Sequence, residues 1–274
     1  MNTAPPFDPA AAPAQSSQSS QSPHTPLPAY YGDEADHQRF LRRIFDETAA
    51  DYDRIERVLA MGTGPAYRRK ALQRAGLRAG DKVVDVGIGT GLVAREACAL
   101  IGAAGSLVGV DPSPGMLDQV ALRDVQLRVG RAEQLPCEDG EADFLSMGYA
   151  LRHVSDVGQS FAEFHRALRP GGRLLILEIS RPESRIGHAL LKAYMRTLVP
   201  LIARVVARQR GTSELWRYYW DTIEACIAPA RIMAALQVAG FEAVRRHTEL
   251  GIFSEYSAVK PAAPEPTGPA LNPS

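Results

Sequence analysis

An apolar run, Lys82-Val83-Val84-Asp85-Val86, passes directly into Gly87-Ile88-Gly89-Thr90-Gly91, and a helical pattern opens at Leu92. A second run, Ser106-Leu107-Val108-Gly109-Val110, ends in Asp111, an acid about twenty residues beyond the last glycine. Strand, glycine loop, helix, strand and terminal acid make a nucleotide-binding βαβ unit, which commits the chain to a parallel sheet. Glycines let the backbone turn tightly and approach a ligand with no Cβ in the way. The periodicity predicts strands at 82–86, 106–110, 126–129, 142–147 and 173–179, and helices near 91–101, 114–121, 157–168 and 187–208. Two helices precede them, Asp36 to Leu59 with Phe40, Ile44, Ile55 and Leu59 on its apolar stripe, and Tyr67 to Ala75. Near-continuous apolar strands alternating with helices imply a Rossmann-like α/β fold, its sheet covered on both faces. Ligands of such sheets bind beyond the carboxyl ends of the strands, which brings Asp85, Asp111, Glu133 and residues 148–154 together.

The spacing of the glycines decides between ligands. A dinucleotide fingerprint needs its third glycine at position 92, which is leucine. The loop is instead entered by an acid, Asp85, which suits a cation better than a pyrophosphate. S-adenosylmethionine (SAM) carries a sulfonium and an α-ammonium and no phosphate, so the loop reads as a SAM site. Asp111 can accept hydrogen bonds from both ribose hydroxyls; its alternative is a turn acid before Pro112. Thr90 belongs at the methionine end, or caps the helix that follows.

The remaining composition narrows the class. Lys plus Arg and Asp plus Glu both total 31, so no global field attracts nucleic acid. Cys98, Cys137 and Cys226 are scattered without metal-ligand spacing, as in a cytoplasmic protein with reduced thiols. No apolar run reaches membrane-spanning length and no signal-peptide pattern opens the chain. Residues 1–29 and 261–274 are Pro-, Ala-, Ser- and Gln-rich and read as disordered tails around a folded unit of 30–260.

Four segments together resemble a class I SAM-dependent methyltransferase, and more narrowly the ubiquinone/menaquinone C-methyltransferase (UbiE-type) family. They are Phe45 to Asp53, which includes Tyr52; Asp85 to Gly91; Arg131-Ala132-Glu133-Gln134-Leu135-Pro136; and Leu151-Arg152-His153-Val154 with Leu168-Arg169-Pro170-Gly171-Gly172-Arg173. The resemblance implies a seven-stranded, mostly parallel sheet of order 3-2-1-4-5-7-6. It implies SAM as methyl donor and a ring acceptor, with a prenylated quinone as the candidate. Tyr52, Asp85, Gly87, Gly89, Thr90, Gly91, Asp111, Arg131, Ala132, Glu133 and Gly148 become the expected SAM contacts, Ala132 and Glu133 beside adenine. His153 stands where the family usually has Asn, Gly148-Tyr149-Ala150 where it has Ser-Phe-Gly, and Arg131 where it has Asn.

Arg152 and His153 are the expected catalytic pair. Methylating a phenolic ring at carbon needs an electron-rich carbon beside an oxyanion, and a fixed cation stabilises that charge. Arg152 suits the role because it stays protonated. The competing reading pairs it with an acid such as Glu178 or Asp156. His153, near neutral in pKa, is placed to remove a proton. A helical insert at about 181–228 carries a wide apolar stripe, including Leu190, Leu191, Tyr194, Met195, Leu198 and Leu201, that Pro200 should kink. Its basic flanks suit a greasy cap in peripheral contact with the inner membrane face. Rival functions are an O- or N-methyltransferase of a soluble metabolite, a dinucleotide-binding oxidoreductase, and a SAM-sensing module.

Overall fold

Branched apolar residues dominate the first strands, and in a computed structural model of the chain they form β1 (Lys82–Val86) and β2 (Ser106–Asp111), paired in parallel with Val84 opposite Val108. The structure describes residues 22–24, 27–59, 62–206 and 212–262. β3 (Val125–Val129), β4 (Ala142–Gly148) and β5 (Leu168–Ile179) extend the parallel sheet. The antiparallel hairpin β6 (Glu242–Glu249) and β7 (Phe253–Val259) then adds on through β7, with Ile176 opposite Tyr256. The sheet order is 3-2-1-4-5-7-6, as the family resemblance implies.

Side chains alternate across the strands, so the central strands β1, β2, β4 and β5 feed two cores. Val84, Val86, Val110, Leu145, Met147 and Ile176 pack on one face under α5 (Val157–Ala167) and α9 (Pro229–Val238). Val83, Leu107, Phe144, Leu175 and Leu177 pack on the other under α2 (Gly64–Arg74) and α3 (Leu92–Ile101). A third cluster lies above the carboxyl ends of the strands. It joins Phe40, Ile44 and Ile55 of α1 (Glu34–Leu59) to Met195, Val199, Leu215, Trp216 and Trp220 of a helical cap.

Several local expectations change. α4 stops after one turn (Pro114–Leu117), capped where the Ser113 Oγ accepts the Met116 N–H at 3.0 Å. β5 starts at Leu168, and Arg169-Pro170-Gly171-Gly172 form a bulge within it rather than a turn before it. The expected cap helix is two helices, α6 (Arg185–Ala193) and α7 (Val199–Val206), joined by a π turn at Tyr194–Leu198. Pro200 has no N–H, and its ring would strike the carbonyl four residues back; the wider turn relieves both problems. α8 (Thr212–Ala225) completes the cap. Residues 1–21 and 263–274, most of the two expected tails, lie outside the described residues. Within the expected N-terminal tail, His24 is buried, its ring near those of Tyr31 and His37, and it bridges to Cys226 just beyond α8.

Candidate functional site

Asp85, the penultimate residue of β1, stands opposite Ser146 of β4, so both side chains point to one face. The Ser146 hydroxyl donates to Asp85 Oδ1 at 2.6 Å, while Asp85 Oδ2 is buried with no hydrogen-bond partner among the described residues. Burial pushes the Asp85 carboxyl up to about 7; the Ser146 bond opposes the shift and the Asp111 charge adds to it. A carboxylate removed from water with one oxygen unanswered is a site built for a cation.

The loop that follows needs its glycines. Gly91, at φ +88°, starts α3 in a left-handed conformation, and Gly87 adopts φ +66° where a Cβ would strike Ala150. At Gly89, also at positive φ, a Cβ would meet open space, which leaves the backbone free to be approached. Asp111 spans the loop from β2. It accepts the N–H of Gly89 and that of Ser113, each at 2.9 Å, and burial lifts its carboxyl to about 6 against those two bonds. Both sequence readings of Asp111 therefore hold in part: it shapes the turn before Pro112, and it lines the ligand cavity.

That cavity measures about 660 Å³. Its polar end is formed by Asp85 to Thr90, Asp111, Arg131 to Glu133 and Gly148. Its apolar end is roofed by Phe45, Tyr52, Leu191, Tyr194, Met195, Trp216 and Tyr219, with Phe253 of the hairpin on one side. One space thus joins the glycine loop to an aromatic chamber beneath the cap. The residues present fit SAM: an orphaned acid for its ammonium, a second acid at the end of β2, and an open glycine loop between them.

Some sequence-predicted residues take other duties. Thr90 donates to Asp53 of α1 and makes no cap bond, because Gly91 occupies the N-cap. Glu133 is not free for adenine: its carboxylate accepts the Ser155 and Asp156 N–H groups and pairs with Arg131, which also donates to Ser155 at 2.9 Å. These bonds tie the β3 and β4 loops together, and Ala132 remains beside the cavity.

Arg152 is the largest correction. It is fully buried, does not line the cavity, and ion-pairs with Glu178 at the end of β5. An unpaired guanidinium at the carboxyl edge of the sheet would be costly, and Glu178 on the adjacent strand answers it. The cation lies instead 4.4 Å from the centroid of the Tyr219 ring. His153 does line the cavity. Its ring stacks on Tyr218 at 5.5 Å and meets Phe45 edge-on at 5.3 Å. Burial, reinforced by Arg152, holds its pKa well below the usual histidine range, so it is neutral at pH 7. Nε2 has no hydrogen-bond partner among the described residues; Nδ1 lies 3.4 Å from Tyr218 Oη, which lies 3.4 Å from His37 Nε2.

Three contributors were not legible in the sequence. Tyr219 was one aromatic among several on an amphipathic stretch. Arg68 was one of several bases on α2, yet it is buried, lines the cavity and pairs with Glu56. Tyr149 takes φ +60°, a strained left-handed conformation for an aromatic residue, beside the cavity.

Residues 33–260 match the model of the ubiE/COQ5 methyltransferase family. A ubiquinone/menaquinone biosynthesis C-methyltransferase UbiE of Rubrivivax gelatinosus is 32% identical over 255 residues, covering 90% of this chain and 98% of its own. A demethylmenaquinone methyltransferase of a Mycobacterium species is 34% identical over 80% of this chain and 93% of its own. Among solved structures, a Thermotoga maritima SAM-dependent methyltransferase superposes with a TM-score of 0.56 at 22% identity, covering 80% of this chain and 99% of its own. Phosphoethanolamine N-methyltransferase 2 of Haemonchus contortus, solved with SAM, gives 0.59 at 17% identity, over 82% of this chain and 60% of its own. At such identities the structural likeness bears on the fold alone.

Proposed function

Because this chain belongs to the ubiE/COQ5 methyltransferase family and is a SAM-dependent methyltransferase, we propose that it methylates a ring carbon of a reduced, prenylated quinone. The observation that carries the reading is the single cavity, whose acidic glycine loop opens into a chamber walled by Phe45, His153, Trp216 and Tyr219. A flat aromatic acceptor fits such walls, and a prenyl tail fits the apolar cap above them.

Bound SAM supplies a methyl group activated by the sulfonium charge. Asp85 would hold the α-ammonium and Asp111 the ribose, while the Gly87–Gly91 backbone would seat the methionine end. The aromatic roof excludes water and would hold the acceptor with the face of its reacting carbon toward the methyl group, which is where most of the acceleration arises. The ring carbon that gains the methyl must lose its proton. Neutral His153 receives it at Nε2, and Tyr218 and His37 lead from Nδ1 toward Glu34, whose carboxylate lies 3.6 Å from His37 Nδ1 and is half-exposed.

The cap also supports contact with a bilayer. Leu191, Tyr194 and Met195 face the chamber, whereas Ile186 (76% exposed), Leu190 (67%) and Leu201 (57%) face outward. Leu250, at the tip of the β6–β7 hairpin and on the cavity wall, is 83% exposed. Exposed Arg185 and Arg196 flank the patch and would meet anionic lipid headgroups. No helix of the described residues is long and apolar enough to cross a membrane. The lipid contact is therefore peripheral, with the acceptor passing from the bilayer under the cap.

The test is transfer of an isotope-labelled methyl group from SAM to chemically reduced demethylmenaquinone, with the labelled position read by mass spectrometry and NMR. A C-methyl product is expected. Label on oxygen, or no transfer by a protein that binds SAM, would reject the acceptor assignment.

A further inference from the structure

Tyr52 of α1 and Tyr219 of α8 face each other across the chamber roof, their hydroxyl oxygens 2.7 Å apart. Each phenol carries one proton and can also accept. Their mutual bond uses one of the two protons. Neither hydroxyl has another hydrogen-bond partner among the described residues, so the pair retains one proton for a third group. Both rings line the cavity, so that third group is a ligand.

The pair is not symmetric. Arg152 lies against the ring of Tyr219, held there by Glu178, whose carboxylate also accepts the Ile179 N–H at 2.8 Å. A cation on the π face withdraws density from the ring and strengthens the O–H as a donor. Burial raises both phenols above their ordinary range, so both keep their protons at neutral pH. The Arg152 charge opposes that rise at both, while the hydrogen bond between them opposes it only at Tyr219. Tyr219 is thus the better terminal donor, with Tyr52 donating to it. The other ionisable groups around Tyr219 are Glu178, Asp111 and His153.

We propose that Tyr219 donates a hydrogen bond to the ring oxygen of the methyl acceptor, supported from one side by the Tyr52 hydroxyl and from behind by Arg152 as a positioning residue. The proposal rests on the aromatic-acceptor reading given above. Its chemical consequence is ionisation. A phenol held by a strong donor loses its proton at lower pH, and the phenolate makes the neighbouring ring carbon nucleophilic. The tyrosines transfer no proton themselves; the hydroxyl proton leaves to solvent before the reaction, and the ring proton leaves to His153 after it.

Two readouts test this on the full-length protein. The first is the pH dependence of kcat/KM with reduced demethylmenaquinone. In Tyr219→Phe the ring and its cation contact remain, and the acidic limb should move up by about one pH unit, with turnover at pH 7 down by up to about tenfold. Tyr52→Phe should lose less, and SAM affinity should be unchanged in Tyr219→Phe. The second readout needs no methylation. 2-Naphthol bound with S-adenosylhomocysteine should ionise, by its absorbance, at lower pH on the wild type than on Tyr219→Phe. The double variant Arg152→Met/Glu178→Gln removes the charge without stranding a buried carboxylate, and should shift the same way as Tyr219→Phe.

Equal ionisation of bound naphthol on wild type and Tyr219→Phe, or no naphthol binding at all, would overturn the proposal. A larger loss in Tyr52→Phe than in Tyr219→Phe would do the same. Failure of the wild type to methylate demethylmenaquinone would instead refute the acceptor assignment, and the naphthol comparison would still decide the role of Tyr219.

Discussion

Asp85 is where a change of one atom should be most informative. Its carboxyl sits at about 7 in the ligand-free protein, and one oxygen lacks any partner. If Asp85 holds the SAM ammonium, only its ionised form binds well, so affinity should rise with pH through that value. From pH 6 to pH 7.3 the ionised fraction of a group with pKa about 7 grows about sevenfold, roughly 1.2 kcal/mol of binding free energy. If Asp111, at about 6, must also be ionised, the factor approaches about fifteen. Staying below pH 7.5 keeps most of the SAM α-amino group charged. Calorimetry in buffers of different ionisation enthalpy would report proton release on binding. Asp85→Asn can still accept the Ser146 hydroxyl through its amide oxygen, so the fold should survive. It should abolish most of the pH dependence and cost roughly 1.5–3 kcal/mol of affinity at pH 7.3, the scale of a hydrogen bond to a charged group. The sign for stability is opposite. A raised carboxyl pKa means that the folded chain binds more protons than the unfolded one, so the ligand-free protein loses stability as pH rises from the ordinary carboxylate range toward 7. The melting shift caused by SAM should grow across that same window. A flat affinity between pH 6 and 7.3, or an Asp85→Asn protein that binds like wild type, would refute the reasoning.

Other residues offer shorter tests. Asp111→Ala should weaken SAM binding by roughly 1.5–3 kcal/mol in calorimetry and also loosen the loop, since the Gly89 and Ser113 N–H groups lose their acceptor. His153→Asn should slow single-turnover methyl transfer by about 10²-fold with SAM affinity intact, as expected for loss of a general base. Because His153 is held neutral, any rise of the wild-type rate between pH 6 and 7.5 should persist in His153→Asn; loss of the rise in that variant would contradict the burial argument. Leu190→Glu/Leu201→Glu should abolish flotation with anionic vesicles while leaving turnover of a short-chain acceptor near wild type, and unchanged flotation would remove the cap from the membrane contact.

The parts of this molecule set by local pattern were readable from sequence. The β1 loop and Asp111 declare themselves because the turn geometry demands glycine and the strand end demands an acid within a fixed distance. The positions of β1, β2, β4 and β5 followed from apolar runs that the two cores require, β3 from a shorter and more exposed run, and β6 and β7 only from the family resemblance. The exceptions share a cause. The α4 helix and the π turn depend on where Ser113 and Pro200 meet their neighbours, and β5 begins early because a bulge, not a turn, absorbs Pro170-Gly171-Gly172. No periodicity encodes those choices.

The site was read less well where a residue's partner is distant in sequence. Arg152 and His153 are adjacent, yet one faces the sheet edge and the other the cavity. What separates them is Glu178, 26 residues on, which meets Arg152 only once β4 and β5 are paired. The expected oxyanion-stabilising cation is present, but a phenol ring stands between it and the cavity. That arrangement has a physical rationale. A bare guanidinium on an apolar chamber wall would carry a large desolvation penalty whenever the prenylated acceptor arrived. Paired with Glu178 and covered by Tyr219, the charge is already desolvated in the resting protein, and only a neutral hydroxyl is exposed to the greasy ligand.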